Sequence, residues 1–330
     1  MTATVFDAAQ TARLTPFAEL VDALGTAALD AADGLIASPA RLVVPLNEGG
    51  VLLSMPAAAS DLAIHKLVTV CPRNRASGLP TIHGQVSAID PSSGAPLFAL
   101  DGPTVTGRRT AAVTLLAIRT FLAAAPRDVL LIGTGTQAEH HVAALAALFP
   151  TARVHVKART AAQAAAFCER LRTASPAPAR LEPLACDAAL PDALDVVITS
   201  TTSAAPVYDE PARAGRLVVG VGAFTRDAAE VGGRTIADSA LYVDDPDGAR
   251  HEAGDLLVAG VEWSRVHSLA DALRERAAPA GGAAGHAARR PVPHDRATPV
   301  FFKSVGCAAW DLAACRVALA AATSRTQACI

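Results

Sequence analysis

A chain of 330 residues is long for one domain and comfortable for two. Its formal net charge is only −2, with acids and bases interspersed, so it lacks the basic stripe with which a nucleic-acid binder neutralises phosphates. Half of it is hydrophobic (51%), yet every long apolar run is broken by a charge or a turn former, which argues against a membrane span. The opening segment carries Asp7 and no basic region followed by an apolar run, so a cytoplasmic protein is expected. Its six cysteines are scattered without a CxxC pair; they are expected to be reduced, and no metal site is expected.

Phe17 to Ala32 carries apolar residues at helical spacing. Short strands follow at Arg41-Leu-Val-Val-Pro, Gly50 to Met55, His65 to Val70, Gly84 to Asp90 and Leu97 to Leu100, with a turn at Asp90 to Pro96. That run predicts a mostly antiparallel sheet. Thr106 reads as the N-cap of a helix that becomes strongly apolar from Thr110 and stops at Pro126. Arg109 then falls in the first turn, where its charge opposes the helix dipole unless an anion sits there. An arginine fork fits a carboxylate bidentately and a nearby lysine adds a point charge, so Arg41, Lys66 and Arg109 are candidates for one carboxylate site.

Beyond Pro126 strand and helix alternate: Val129 to Ile132, Gln137 to Leu148, Arg153 to Val156, Ala161 to Thr173, Val196 to Ser200, Leu217 to Val221 and Tyr242-Val-Asp. This rhythm predicts a parallel sheet with helices on both faces. Ala277 to Thr298, rich in Ala, Gly, Pro and Arg, reads as a surface loop. A last apolar helix from Ala308 to about Ala322 is expected to return to the first domain.

The segment Val129-Leu-Leu-Ile-Gly133-Thr-Gly135-Thr136-Gln137-Ala138 leaves a strand and opens a helix, the context a dinucleotide fingerprint requires. Gly133 permits the tight turn, Gly135 lets the backbone approach a pyrophosphate, and Ala138 allows close helix–strand packing. The helix N-terminus offers unpaired N–H groups to the phosphates. The next strand ends in Lys157-Ala-Arg159-Thr160, with two bases and no acid for a ribose 2′-hydroxyl. NADPH is therefore the expected cofactor, with NADH as the other candidate.

The stretches Gly78-Leu-Pro-Thr-Ile-His-Gly and Asp101-Gly-Pro-Thr-Val-Thr-Gly-Arg-Arg-Thr-Ala-Ala, the glycine turn, and Phe302-Lys-Ser-Val-Gly occur in this order along nearly the whole chain. Together they resemble the ornithine cyclodeaminase/mu-crystallin family. The resemblance implies an α/β fold in which a Rossmann domain (113–304) is inserted into a discontinuous α+β dimerisation and substrate domain (1–112 plus 305–330). It also implies a homodimer. By the same resemblance Arg41, Lys66 and Arg109 bind the substrate carboxylate, with Lys66 and Arg109 in the catalytic set. Thr199, Ser200, Thr201 and Val221 are implied to lie beside the nicotinamide, and Lys303 joins the cofactor set. His83 is a candidate hydrogen-bond or proton donor to the ring nitrogen, because imidazole titrates in the working range.

In one place the chain departs from the family pattern. The family's cyclodeaminases carry an Asp shortly after the glycine of a later strand, where Val219-Gly-Val-Gly-Ala-Phe224 here supplies Phe224, and Asp227 comes three residues on. Losing that acid removes a group needed for deamination and leaves hydride transfer intact. The wording of the other motifs most resembles the family's cyclic-imine reductases. The expected activity is reduction of Δ1-pyrroline-2-carboxylate or Δ1-piperideine-2-carboxylate to L-proline or L-pipecolate. An ornithine cyclodeaminase, an amino-acid dehydrogenase and a non-enzymatic NADPH-dependent binding protein of mu-crystallin type are the alternatives.

Overall fold

The chain divides into two units, Met1–Ala112 with Gly306–Ile330 and Val113–Val305. The computed structural model describes residues 3–173, 180–185, 187–277 and 298–327. In the first unit β1 (Thr4–Val5) precedes α1 (Ala8–Leu14), which Asp7 and Gln10 close with a reciprocal capping box. Then come α2 (Phe17–Ala32), β2 (Leu42–Pro45), β3 (Val51–Ala58), β4 (Ala63–Val70), β5 (Ile82–Ile89), β6 (Pro96–Asp101) and α3 (Gly102–Phe121).

Strands β1 to β6 form a sheet in the order β1-β6-β5-β4-β3-β2, antiparallel except for the parallel β1–β6 pair. The sheet is mostly antiparallel, as expected, and β1 makes it a mixed one. Because side chains alternate, the register sets Met55, Lys66, Val86 and Leu100 in one row across the sheet, all buried. Helix α2 buries Leu20, Val21, Leu24, Ala27 and Ala28 at helical spacing. The other face leaves Leu42, Val44 and Leu67 exposed, at 60%, 40% and 39%.

Helix α3 begins earlier than the sequence suggests. Asp101 accepts from the Thr104 backbone N–H at 2.9 Å and from its hydroxyl at 2.6 Å, so Asp101 supplies the capping carboxylate. The hydroxyl of Thr106 donates instead to the Gly102 carbonyl inside the helix, at 2.8 Å. Arg109 therefore lies two turns in, beyond reach of the terminal partial charge, and the dipole argument for an anion does not apply to it.

The second unit continues with β7 (Asp128–Ile132), α4 (Thr136–Leu148), β8 (Arg153–Lys157), α5 (Ala161–Arg172), β9 (Arg180–Pro183), β10 (Val196–Thr199) and β11 (Leu217–Gly220). After these come α6 (Gly233–Ala237), β12 (Ala240–Val243), α7 (Pro246–Glu252), α8 (Gly254–Val258), β13 (Val266–Ser268), α9 (Leu269–Ala277) and β14 (Val300–Lys303). All pair in parallel, in the order β13-β12-β14-β11-β10-β7-β8-β9. Strands β10, β11 and β14 are buried at every position, as befits parallel strands covered on both faces. The segment read as a surface loop lies, for residues 278–297, outside the described residues. Helix α10 (Ala308–Gln327) then packs on α2, β3, β4 and β5 of the first unit. No helix among the described residues is long and apolar enough to cross a membrane.

Candidate active site

The glycine turn of the second unit has the geometry of an anion cradle. Gly133 adopts φ +125°, and a Cβ there would come within 2.4 Å of the Ser200 carbonyl oxygen, so only glycine fits. Its N–H donates to the Lys157 carbonyl at 2.9 Å, tying β7 to β8. Gly135 stands at the N-cap of α4 with no side-chain cap, and a Cβ there would meet nothing within 4 Å. The first N–H groups of α4, from Thr136 and Gln137 onward, are thus left for a ligand, while Ala138 packs fully buried beneath them. Two buried polar atoms, Ser200 Oγ and Gln137 Oε1, have no hydrogen-bond partner. Ser200 Oγ lies 3.0 Å from where a Gly133 side chain would start. Orphaned acceptors and donors beside an uncapped helix end fit a bound dinucleotide.

Buried His141 supports this turn from below. Its Nδ1 lies 2.7 Å from the Gln137 carbonyl oxygen and its Nε2 lies 2.9 Å from the Thr114 hydroxyl. Burial pulls its pKa down to about 4, so the ring is neutral, with Nδ1 donating and Nε2 accepting. On β8, Lys157 is half-buried and Arg159 exposed, with no acid between the strand end and Thr160. Thr160 caps α5, accepting from the Gln163 N–H at 3.2 Å.

The ends of β10 and β11 lie beside the glycine turn, since β10 pairs with β7. Thr199 is fully buried and its carbonyl accepts from the Val221 N–H at 2.9 Å. Phe224, just beyond, is 55% exposed, and Asp227 is exposed as well. Lys303 differs from expectation. Its ammonium is fully buried, 2.8 Å from Asp255 and donating to the Ala223 carbonyl at 2.7 Å. An ammonium so enclosed is held by the unit's own acid and carbonyl and is not presented to a cofactor phosphate.

In the first unit the three expected cations do converge, around an acid that sequence reading missed. Lys66, fully buried in the core row of β4, places Nζ 3.1 and 3.3 Å from the two Asp311 oxygens. Arg109 brings Nε to 3.7 Å from the same carboxylate, yet that buried Nε makes no hydrogen bond. Arg41 donates to the Gly306 carbonyl at 2.6 Å. Gly306 turns the chain at φ +74°, and a Cβ there would come within 2.2 Å of Arg109 Nη1, so the turn lies directly on the guanidinium. Asp311 sits in the first turn of α10, where the helix end favours an acid. Burial lowers the Lys66 pKa to about 8; Asp311 opposes that fall, and Arg109 and Arg41 add to it. Lys66 and Arg109, both buried, face Asp311, and half-buried Arg41 lies beside them; this local excess of positive charge suits an anion.

His83 does not join this cluster. It stands opposite Thr69 on β5, whereas Lys66 stands opposite Val86, and the odd spacing puts the two on different faces of the sheet. His83 is exposed there, so the expectation of a catalytic role beside the cations is not met.

The chain matches the model of the ornithine cyclodeaminase/mu-crystallin family over residues 1–325. It is 60% identical over 321 residues to the Delta(1)-pyrroline-2-carboxylate/Delta(1)-piperideine-2-carboxylate reductase of Azospirillum brasilense, covering 97% of this chain and 96% of that protein. Among solved structures it is similar to Thermococcus litoralis Delta(1)-pyrroline-2-carboxylate reductase in complex with NADH and L-proline, with TM-score 0.83, 23% identity and 98% of each chain covered. It is also similar to an archaeal alanine dehydrogenase dimer with bound NAD, with TM-score 0.80, 23% identity, and 99% of this chain and 98% of that one covered. At such identities the likeness to the solved structures is one of fold.

Proposed function

The chain belongs to the ornithine cyclodeaminase/mu-crystallin family, and from that premise we propose that it is an NAD(P)H-dependent ketimine reductase. It reduces Δ1-pyrroline-2-carboxylate or Δ1-piperideine-2-carboxylate to L-proline or L-pipecolate. The observation that carries this reading is the near-full-length identity to the Azospirillum brasilense reductase, and the cation cluster supplies its chemistry.

Arg41, Lys66 and Arg109 receive the substrate carboxylate, an anion that the local excess of positive charge suits. Asp311 holds the Lys66 ammonium against its burial. A cyclic imine that enters protonated at nitrogen is already electrophilic at C2. The side chains therefore need only fix the ring's position, and orientation provides much of the acceleration. Reduced nicotinamide, when bound, supplies the hydride to C2. Exposed Phe224, where the family's cyclodeaminases carry an acid, offers no group to move an amine or a water.

The second unit is read as an inserted dinucleotide-binding domain of Rossmann type, and the first as the substrate and dimerisation domain. Lys157 and Arg159, at a strand end whose sequence up to Thr160 carries no acid, favour the 2′-phosphate of NADPH over NADH. The apolar face carrying Leu42, Val44 and Leu67 favours a homodimer, as in the dimeric alanine dehydrogenase. The reading places the enzyme in the cytoplasm.

The test is NADPH consumption with Δ1-pyrroline-2-carboxylate, run beside pyruvate plus ammonia and, in the oxidised direction, ornithine. Turnover is expected with the cyclic imine. Turnover with pyruvate plus ammonia or with ornithine and none with the cyclic imine would overturn the assignment.

A further inference from the structure

The buried polar groups of the second unit centre on one acid that the chemistry above does not use. Glu230 is fully buried between β11 and α6. Its Oε1 accepts from the Thr201 N–H at 2.5 Å, and its Oε2 accepts from the N–H groups of Gly222 at 2.5 Å and Ala223 at 2.9 Å. These donors belong to the loops that leave the carboxyl ends of β10 and β11. Gly222 is required for so close an approach, since a Cβ there would lie 2.1 Å from the Thr201 carbonyl oxygen and 2.8 Å from Glu230 Oε1.

Glu230 is itself anchored. Asp255 Oδ1 accepts from the N–H groups of Glu230 at 2.6 Å and Val231 at 2.8 Å. The other Asp255 oxygen meets the Lys303 ammonium, which donates in turn to the Ala223 carbonyl. Ala223 is therefore gripped at both its N–H and its C=O.

The network holds two buried acids against one buried base, an arrangement costlier than apolar packing of the same volume. Burial raises the Glu230 pKa, while Lys303 and the Thr201 contact oppose the rise. The backbone partners at these distances are all N–H donors to its two oxygens, which favours the ionised form. The strand order sets β7, β10, β11 and β14 side by side in parallel, so their carboxyl ends and the glycine turn share one edge of the sheet. Ligands of such sheets bind along that edge, where the strand order reverses.

Resting on the reductase reading above, we propose that Glu230 is a positioning residue for hydride transfer, its carboxylate fixing the β10 and β11 loops against which the nicotinamide ring lies. A strut of this kind governs where the ring sits and leaves the adenine half of the cofactor alone.

The experiment measures the affinity of the full-length parent, Glu230→Gln and Glu230→Asp for NADPH and for 2′-phospho-ADP-ribose, the same cofactor without its nicotinamide. Glu230→Gln must turn an amide N–H towards at least one backbone N–H. It is expected to weaken NADPH by about tenfold or more, because loops no longer held in the binding conformation must be ordered when the nicotinamide docks. The fragment should change by less than about twofold. With 4-deuterated NADPH, kcat should fall and its isotope effect should rise, while KM for the cyclic imine holds. Glu230→Asp keeps the charge but withdraws it by one methylene, and should lie between the two; it alone carries the test if the Gln variant does not fold. Equal weakening of NADPH and fragment, or a lowered melting temperature with affinities and isotope effect unchanged, would overturn the proposal and leave Glu230 a structural residue. A parent that binds NADPH but reduces no cyclic imine would sink the substrate assignment, while the affinity comparison would still decide the role of Glu230.

Discussion

Replacing Asp311 with Asn tests the electrostatics of the cation cluster. In the parent, Lys66 is fully buried and its pKa has fallen from 10.5 to about 8, even with Asp311 at 3.1 Å. The groups that bear on its ammonium are Asp311, Arg109 and Arg41, with the buried Cys315 thiol beside them, itself pushed up by burial. An opposite charge at such a distance supports a protonated lysine by roughly one to three pH units. Removing it should lower the Lys66 pKa by that amount, so that the lysine is largely neutral at pH 8. The substrate clamp needs the ammonium, so kcat/KM should fall as pH rises through about 8 in the parent. In Asp311→Asn the same fall should come roughly one to three pH units earlier.

Stability follows the opposite sign. A lysine whose folded pKa is depressed weighs against folding below that pKa, here by on the order of 3 kcal/mol. The burden lifts as pH rises from about 8 towards 10.5, while the unfolded chain still holds the proton. The variant should therefore melt well below the parent at pH 6 and close to it at pH 9.5. The assay is initial rate against pH at saturating NADPH, with melting temperatures over the same range. A folded Asp311→Asn enzyme whose rate falls equally at every pH, with its basic limb where the parent's is, would refute the reasoning.

Arg109→Met should lower kcat/KM for the carboxylated imine by roughly 10- to 150-fold and change turnover of 1-pyrroline little, since the latter has no carboxylate to lose. Equal slowing of both imines would end the case for a carboxylate clamp. Arg159→Asp should narrow or reverse a preference for NADPH over NADH, read from the two KM values; identical constants before and after would remove Arg159 from the site. Val44→Asp, on the exposed apolar face of the first sheet, should turn a dimer into a monomer by light scattering. A parent already monomeric at micromolar concentration would count against the interface.

How much of this was legible in the sequence depended on whether the cause was local. The glycine turn could be read because strand, turn and helix are contiguous and each obeys its own spacing. The start of α3 was misplaced because Gly102 and Pro103 look like turn formers, although both suit a first helical turn, and Asp101 with Thr104 carried the cap signal. Asp311 could not be paired with Lys66 from sequence across a separation of 245 residues. Its one trace was an acid in the apolar run Ala308-Ala-Trp-Asp-Leu-Ala-Ala. His83 and Lys66 are near in sequence, and only the register of β4 on β5 reveals that they face apart. Lys303 entered the cofactor set because the sequence does not show that Asp255 meets it in the core. Glu230 gave no signal, being one acid in a loop whose backbone donors come from its own connection and from the loop after β10.

The position of β14 has a consequence for how the protein is made. Among the described residues it is the last strand in chain order, yet it lies between β11 and β12, which have no ladder to each other without it. Helix α10, later still, supplies the acid of the cation cluster and covers the first sheet. A nascent chain leaving the ribosome can pair β7, β8, β10 and β11, but it presents a bare, wholly apolar edge until residue 300 has emerged. Neither unit can then be completed from a contiguous N-terminal fragment. A premature stop, or a truncation meant to isolate the nucleotide unit, would leave an unclosed sheet prone to pairing with another chain. The closing pieces of both units, β14 and α10, thus follow every strand they complete in chain order.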